Sequence, residues 1–552
     1  MFKKFFDKVF LNSHVSSSVS NAAFFITFFG LASRLLGLFR DRLLAATFGA
    51  GDILDIYYAA FRIPDLIYNF LILGALSAAF IPVFTELISG KKEKKAWRLS
   101  AGIMDLAITF IVIFSLFLCF MAPYLMKLIT PGFSPEKISQ VVIFTRIMFF
   151  SPLFLGIGGI FGATLTSYKR FVVFSLAPIF YNLGIIFGIL VLVKFCGPIG
   201  LAWGVVLGAF LHMLVQYPAV KSLGFNFKKD FFSHIKNVEV IKVLKLMIPR
   251  VFGIAANQIN LFAITIFASI LASGSLAIFN FAQNLQSVPL GIFGVSFSIA
   301  AFPMLSSFFA QKNNRQFVKT FSQTFRQILF FVIPISVFII LLRAQIVRVV
   351  LGTGKFDWED TTLTFQCLGI FSVSLFAQSV IPLLARSFYA MQNTKIPFYV
   401  ALAGEITNIS TILILLILIG KQEILSLAIA FSLSSIVQMF LLLFLLRLRF
   451  ENLDDKKILE SITKISLAAF LGGLIIQFFK YLTAILVNMD TFFGVFIQLG
   501  VASFFGGITF LFMCYLLKTD EFFSFKKSFT KRIFPNKEMV LPEDINNDLS
   551  GF

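Results

Sequence analysis

Residues 91–128 read KKEKKAWRLSAGIMDLAITFIVIFSLFLCFMAPYLMKL. Five of the first eight are Lys or Arg, and from Leu99 to Met126 the one charged residue is Asp105. About 20 apolar residues let an α-helix cross the roughly 30 Å hydrocarbon core of a bilayer, and this run exceeds that. A cationic cluster at one end of such a run holds its loop on the cytoplasmic side. The stretch therefore predicts a membrane-spanning helix and its direction.

The rest of the chain has the same character. Of 552 residues, 58% are hydrophobic and 13% charged, with a mean hydropathy of +0.91. A soluble fold could not cover itself with so little polar surface. Cys119, Cys196, Cys367 and Cys514 are scattered without a CxxC spacing, so neither a disulfide framework nor a zinc site is expected. His14, His212 and His234 are too dispersed for a metal centre. The 76 Phe accompany abundant Ile and Lys, which points to biased base composition. A net charge of +20 would suggest nucleic acid in a soluble protein; here it reads as cytoplasmic loops facing anionic lipid, with no nucleic-acid partner.

Apolar runs predict about fourteen spans, near 20–39, 53–87, 99–128, 139–165, 171–193, 199–220 and 244–272 in the first half. The second half gives 277–310, 321–350, 362–390, 397–419, 424–446, 459–487 and 492–517. With the N-terminus inside, 31 of the 47 Lys and Arg fall on cytoplasmic segments and ten outside. That asymmetry predicts both termini in the cytoplasm. Residues 1–19, opening MFKKFFDKVF, are expected to form an interfacial helix. Residues 518–552 are expected to be a basic, then acidic, cytoplasmic tail.

The spans repeat. Ser77–Pro82 returns loosely as Ser298–Pro303, Lys127 and Phe133 as Arg348 and Phe356, and Lys169 and Asn182 as Lys395 and Asn408, at offsets of 221 to 226. Six spans per repeat keep both halves in one orientation. The expected fold is an all-α polytopic membrane protein with two parallel six-helix lobes, 20–220 and 221–446. A C-terminal helix pair, 447–517, follows.

Polar residues inside the first two spans carry the chemistry. Arg34, Arg40, Asp41 and Arg42 lie in ASRLLGLFRDR, and Arg34 is a full turn or more deeper than a snorkelling end residue. A buried guanidinium is costly unless it meets water or a partner. At 100° per residue Arg34 and Asp41 share a face, with Arg40 about 120° away. Asp55 and Arg62, seven apart, also share a face before Pro64, either as a cavity wall or as a local ion pair. Asp105, Arg146, His212, Arg250 and Glu405 read either as ion-coupling groups or as mutual partners.

ASRLLGLFRD, FGAG, AFRIP and GALSAAFIPVF, followed by TPGFS, LAPIFYN, GLAWG, NQIN, VPLGIFG, GKFDWEDT and RSFYAMQNTKIP, resemble the MurJ/MviN family in order over residues 20–445. The resemblance implies the fold of the multidrug/oligosaccharidyl-lipid/polysaccharide exporters and a lipid II flippase in the bacterial cytoplasmic membrane. It implies a cationic central cavity in which Arg34, Arg40 and Asp55 are essential, with Asp41 and Arg62 alongside. Membrane lipids and the cell-wall synthesis machinery are the other expected partners. No cofactor is expected; Na⁺, H⁺ or the membrane potential are the candidates for driving transport.

The chain departs from the family pattern at Tyr68 and Leu73, where charges are usual, and at Gln283 and Asn284, where Asp-Arg is usual. An amide stripe stands in the second lobe instead: Asn257, Gln258, Asn260, Asn280, Gln283, Asn284 and Gln286. Amides recognise sugars and phosphate oxygens without charge, or pack between helices. Other readings are an exporter of another lipid-linked glycan or a drug, and a non-transporting scaffold that binds the precursor. A membrane glycosyltransferase would have to use Asp357, Glu359 and Asp360, which read better as a solvated loop and helix cap.

Overall fold

The computed structural model describes residues 19–70, 79–225, 237–419 and 423–533. The interfacial helix expected over 1–19, the family's glutamate position at Leu73 and the acidic end of the tail lie outside these residues.

The first half holds α1 (Val19–Phe48), α2 (Asp52–Ala60), α3 (Arg62–Tyr68), α4 (Ile81–Ser89), α5 (Glu93–Ile129), α6 (Pro135–Met148) and α7 (Phe150–Ser167). Next come α8 (Phe171–Phe187), a π-turn, α9 (Val193–Cys196) and α10 (Gly200–Ser222). The second half holds α11 (Val238–Ile270), α12 (Ser275–Pro289), a π-turn over Leu290–Val295, α13 (Ser296–Ala310), α14 (Asn314–Val350) and α15 (Trp358–Ala390). It continues with α16 (Lys395–Ile419), α17 (Leu425–Phe450), α18 (Asp455–Leu486), α19 (Phe492–Leu516) and α20 (Asp520–Ile533). Ten helical stretches among the described residues are long and apolar enough to cross a membrane. One of them, Phe171–Ser222, runs 52 residues and doubles back at Gly197–Ile199. Helix occupies part of every range read as a span from the sequence.

Three boundaries differ from the sequence reading. The first helix continues nine residues past Phe39 to Phe48, because Arg40, Asp41 and Arg42 all find partners inside the bundle. The second span breaks at Phe61, before Pro64. The start of the expected tail is helical: Glu521 in the first turn of α20 is buried and pairs with Arg326 of α14.

The repeat is visible in the backbone. Lys91 and Lys312, 221 apart, both close a helix in the left-handed region, at φ 57° and 56°. Each turn is completed by the same pair of bonds, Lys91 N to Ile88 O and Lys92 N to Leu87 O, matching Lys312 N to Phe309 O and Asn313 N to Phe308 O. Lys169 and Gln392 form a second such pair at φ 59° and 60°. Residues 69–70 and 290–291, again 221 apart, share π-type geometry.

Small residues set how closely helices meet. Gly184 of α8 and Gly188, which opens the π-turn after it, face Gly208 and Gly204 of α10, and a methyl added at the first two would lie 2.3 and 2.5 Å from the opposing Cα atoms. Such spacing by four lets helix backbones approach without a hydrophobic driving force. Gly208→Val would place Cβ 2.4 Å from the Tyr181 carbonyl oxygen. Overpacking of this kind costs about 1–3 kcal/mol or more. The expected result is a thermal midpoint in detergent several degrees lower, whereas Gly500→Ala, which meets nothing within 4 Å, leaves it unchanged.

Candidate functional site

Arg34 and Asp41 of α1, Asp55 of α2 and Arg62 of α3 reach α11, α12 or the turn between them, so the site is a seam between the two repeats. Arg34 is exposed, and its Nη1 donates to the carbonyls of Ser287 and Val288 of α12, at 3.3 and 3.1 Å. Those carbonyls lie at the end of α12, just before the π-turn. Gly291 in that turn leaves the space the guanidinium fills, since a Cβ there would sit 2.0 Å from it. Among the described residues Arg34 has no carboxylate partner. Its charge is uncompensated.

Arg40 behaves differently. Its Nε and Nη2 both donate to Asp41 Oδ1, at 3.0 and 2.7 Å, and Nη1 donates to Asn182 Oδ1 at 3.1 Å. Adjacent helix residues do not normally face each other. The long guanidinium folds back here because Asp41 is 2% exposed and needs a cation. The other Asp41 oxygen accepts from Asn284 Nδ2 at 2.9 Å, a bond from α1 to α12. Helical wheel geometry had grouped Arg34 with Asp41; in the structure the aspartate's ion pair is with Arg40.

Asp55 and Arg62 do not pair. Seven residues span about 10 Å along a helix, and each side chain finds a nearer partner. Arg62 donates through Nε to Thr265 Oγ1 of α11 at 2.6 Å. Asp55 is 1% exposed and accepts the backbone N–H groups of Gly274 and Ala277, at 2.8 and 3.1 Å, and Lys137 Nζ at 3.0 Å. It thus caps the start of α12 across the seam, satisfying orphan donors that no residue of α12 itself satisfies. Gly274 sits at φ 87°, and a Cβ there would lie 1.9 Å from the Ala50 carbonyl.

Around Asp55 the bundle end opposite the N-terminus is tied shut. Lys137 also meets Asp52 at 2.6 Å, and Ser273 Oγ donates to the same Asp52 oxygen at 2.6 Å. Asp360 Oδ2 accepts Ala50 N at 2.8 Å, while Lys355 N donates to Ala46 O at 2.9 Å. Arg42 donates to the carbonyls of Val349 and Val350 at the end of α14 and lies over the Phe492 ring. Asp357 caps α15 through Asp360 N at 2.8 Å. The acidic loop is therefore spent on capping and closure.

The amide stripe divides. Asn284 reaches Asp41; Gln283 is half-buried; Asn280 bonds its own helix at Leu276 O; Gln286 pairs with Gln378 of α15. Asn260 donates to Glu405 of α16 at 2.9 Å, and Gln258 is buried. The side chains of Asn257 and Arg250 lie outside the described residues. Sequence reasoning missed Lys137, Ser273 and Asn182. The two contacts of Lys137 with Asp52 and Asp55 span 85 and 82 residues, and no local spacing encodes them. Among the described residues no three His, Cys, Asp or Glu side chains gather to hold a metal ion.

Two pseudo-repeated helical bundles meet at a charged seam and are tied together at one end, an architecture shared with solved membrane transporters. The solved structures agree: one titled as a multidrug resistance MATE family transporter of the MOP superfamily, in an inward-facing conformation, superposes with a TM-score of 0.63 at 12% identity, over 76% of this chain and 96% of its own. Another, titled as lipid II flippase MurJ in an inward closed conformation, gives a TM-score of 0.72 at 24% identity, over 92% and 99%. Residues 44–497 match the family model described as lipid II flippase MurJ, and the chain belongs to this family. A probable lipid II flippase MurJ of Buchnera aphidicola from Acyrthosiphon pisum is 31% identical over 497 residues, covering 88% of this chain and 95% of the relative. That of Rhizobium tropici is 30% identical over 434 residues, covering 76% and 80%.

Proposed function

We propose that this protein flips lipid II, an undecaprenyl pyrophosphate bearing a disaccharide-peptide, from the inner to the outer leaflet of a bacterial cytoplasmic membrane. The observation that carries the reading is Arg34: exposed at the seam, bonded to two carbonyls, and without a carboxylate partner among the described residues. Pyrophosphate in a low-dielectric setting needs planar, multidentate cationic donors, and guanidinium supplies them. Asn284, Gln283 and the Arg40–Asp41 pair recognise the neutral and polar parts of the head beside it. The lobes, 20–220 and 221–446, rock about the seam, with the pair 447–517 appended to the second. Both termini face the cytoplasm, so the closed end tied by Asp55 and Lys137 faces outward. Transport makes and breaks no covalent bond. Cell-wall polymerising machinery takes the delivered precursor. Supplying this chain to a bacterium depleted of its own flippase tests the reading: growth and shape are restored, whereas lysis contradicts it.

The coupling ion belongs at Glu405. One carboxylate oxygen accepts from Asn260, while the other, with Asn260 Oδ1 and both polar atoms of Asn408, is buried without a partner among the described residues. Each of the three oxygens costs about 1–3 kcal/mol unpaired, which a small cation, or a proton on Glu405, offsets. Glu405→Gln is expected to cut ion-gradient-driven transport at least about tenfold while leaving lipid II binding unchanged. Binding in detergent and transport in vesicles with imposed Na⁺ or H⁺ gradients measure the two separately.

A further inference from the structure

At the opposite end of the bundle from Asp55, the start of α14, the end of α17 and the start of α18 enclose a cleft of about 1060 Å³. Arg315, Lys319, Arg449 and Lys457 line it, and none of the four has an ion-pair partner among the described residues. Glu451 and Asp454 are its carboxylates, leaving a net charge of two positive. Nearby Arg447 is already satisfied by Asp455 at 2.9 Å. We infer that this cleft binds a phosphate-bearing anion, a dianionic phosphate ester or pyrophosphate, separate from the seam.

The cleft is built, and the appended helix pair builds it. Phe450, which lines it, stacks on the buried Phe317 at 4.7 Å. In the first repeat the corresponding Trp97 and Phe225 also meet, at 5.9 Å. The chain crosses from α17 to α18 through Glu451 and Asp454, both left-handed at φ 59° and 68°. Non-glycine residues hold that conformation only where surroundings compel it. Leu453 is buried between them, Ser322 Oγ donates to Asp454 Oδ2 at 3.0 Å, and Asn452 Oδ1 accepts from Asp454 N and Asp455 N. That folded corner carries Lys457 over to Arg315 and Lys319. The first-turn N–H groups of the 37-residue α14 add a positive end at the same place. Four like charges around one cleft repel, and a dianion removes the repulsion while taking charge-assisted bonds from each.

A fluorophore on Asn314→Cys, at the cleft rim, in a chain carrying Cys119→Ser and Cys196→Ser, reports occupancy; the two remaining cysteines are buried. In phosphatidylcholine nanodiscs, inorganic pyrophosphate is expected to shift its emission saturably. Lys319→Gln with Arg449→Gln should weaken that response by about tenfold or more, while Arg34→Ala leaves it intact. Nanodiscs containing phosphatidic acid, whose headgroup is a phosphate monoester, separate the sources. A signal already saturated there identifies a lipid headgroup; unchanged titration identifies a soluble phosphate compound. No response to either probe, or a response that survives the double substitution, overturns the inference. A response lost in Arg34→Ala alone would place the phosphate at the seam and also overturn it.

Discussion

Arg34→Ala abolishes rescue of flippase-depleted cells while the chain remains folded in the membrane. The guanidinium rests on two carbonyls at the end of α12, so its removal breaks no ion pair and leaves no buried carboxylate behind. What is lost is the uncompensated charge. Charge-assisted hydrogen bonds contribute about 1.5–3 kcal/mol each, and two to a pyrophosphate make a loss of about a hundredfold or more in affinity. Arg40→Ala is equally damaging by a different route: Asp41, 2% exposed, is left buried without its cation, a change that costs about 3–5 kcal/mol. Asn284→Ala removes one bond to an aspartate that keeps its arginine, and should reduce activity about tenfold or less. Immunoblots of the membrane fraction beside growth curves separate loss of function from loss of protein. Rescue by the Arg34→Ala chain contradicts the assignment.

Asp55→Ala is the second large effect. One carboxylate holds the N–H groups of Gly274 and Ala277 and the Lys137 ammonium, joining α2, α12 and the first turn of α6. Losing three charge-assisted bonds destabilises the closed end by about 4 kcal/mol or more, enough to move a two-state equilibrium about a thousandfold toward the open form. In a chain carrying Cys119→Ser and Cys196→Ser, a cysteine placed at Asn280, on α12 just inside the cap, should then react with an impermeant reagent added outside intact cells, where the chain that keeps Asp55 protects it. Asp55→Ala should also fail to support growth, because alternation needs both states. Lys137→Ala should give partial labelling, since the two backbone bonds remain. Equal protection of Asn280→Cys with and without Asp55 contradicts a closure set by this carboxylate.

The fold was legible because a bilayer leaves few solutions. Runs such as 99–126 have to be helices, and the repeat at offset 221 shows in loosely matching residues and again in the paired left-handed turns at Lys91 and Lys312. The site was legible in part. Arg34, Arg40, Asp41, Asp55 and Arg62 stand out because charge inside an apolar run is costly. Their partners did not, because Asp55 meets Gly274 over 219 residues and Asp41 meets Asn284 over 243. Helical periodicity could not choose between a cavity wall and a local ion pair for Asp55 and Arg62, which take partners from other helices instead. Of the amide stripe, composition could not tell Asn284, which crosses the seam, from Gln286, which is spent on Gln378.

Transfer of fluorescent lipid II across the bilayer of vesicles containing only this purified chain tests the central claim most directly. The account predicts that inner-leaflet lipid II becomes accessible outside at a rate proportional to protein, and that Arg34→Ala vesicles behave like empty ones. Equal transfer by the parent and Arg34→Ala chains, or none by the parent under any imposed ion gradient or potential, would contradict it.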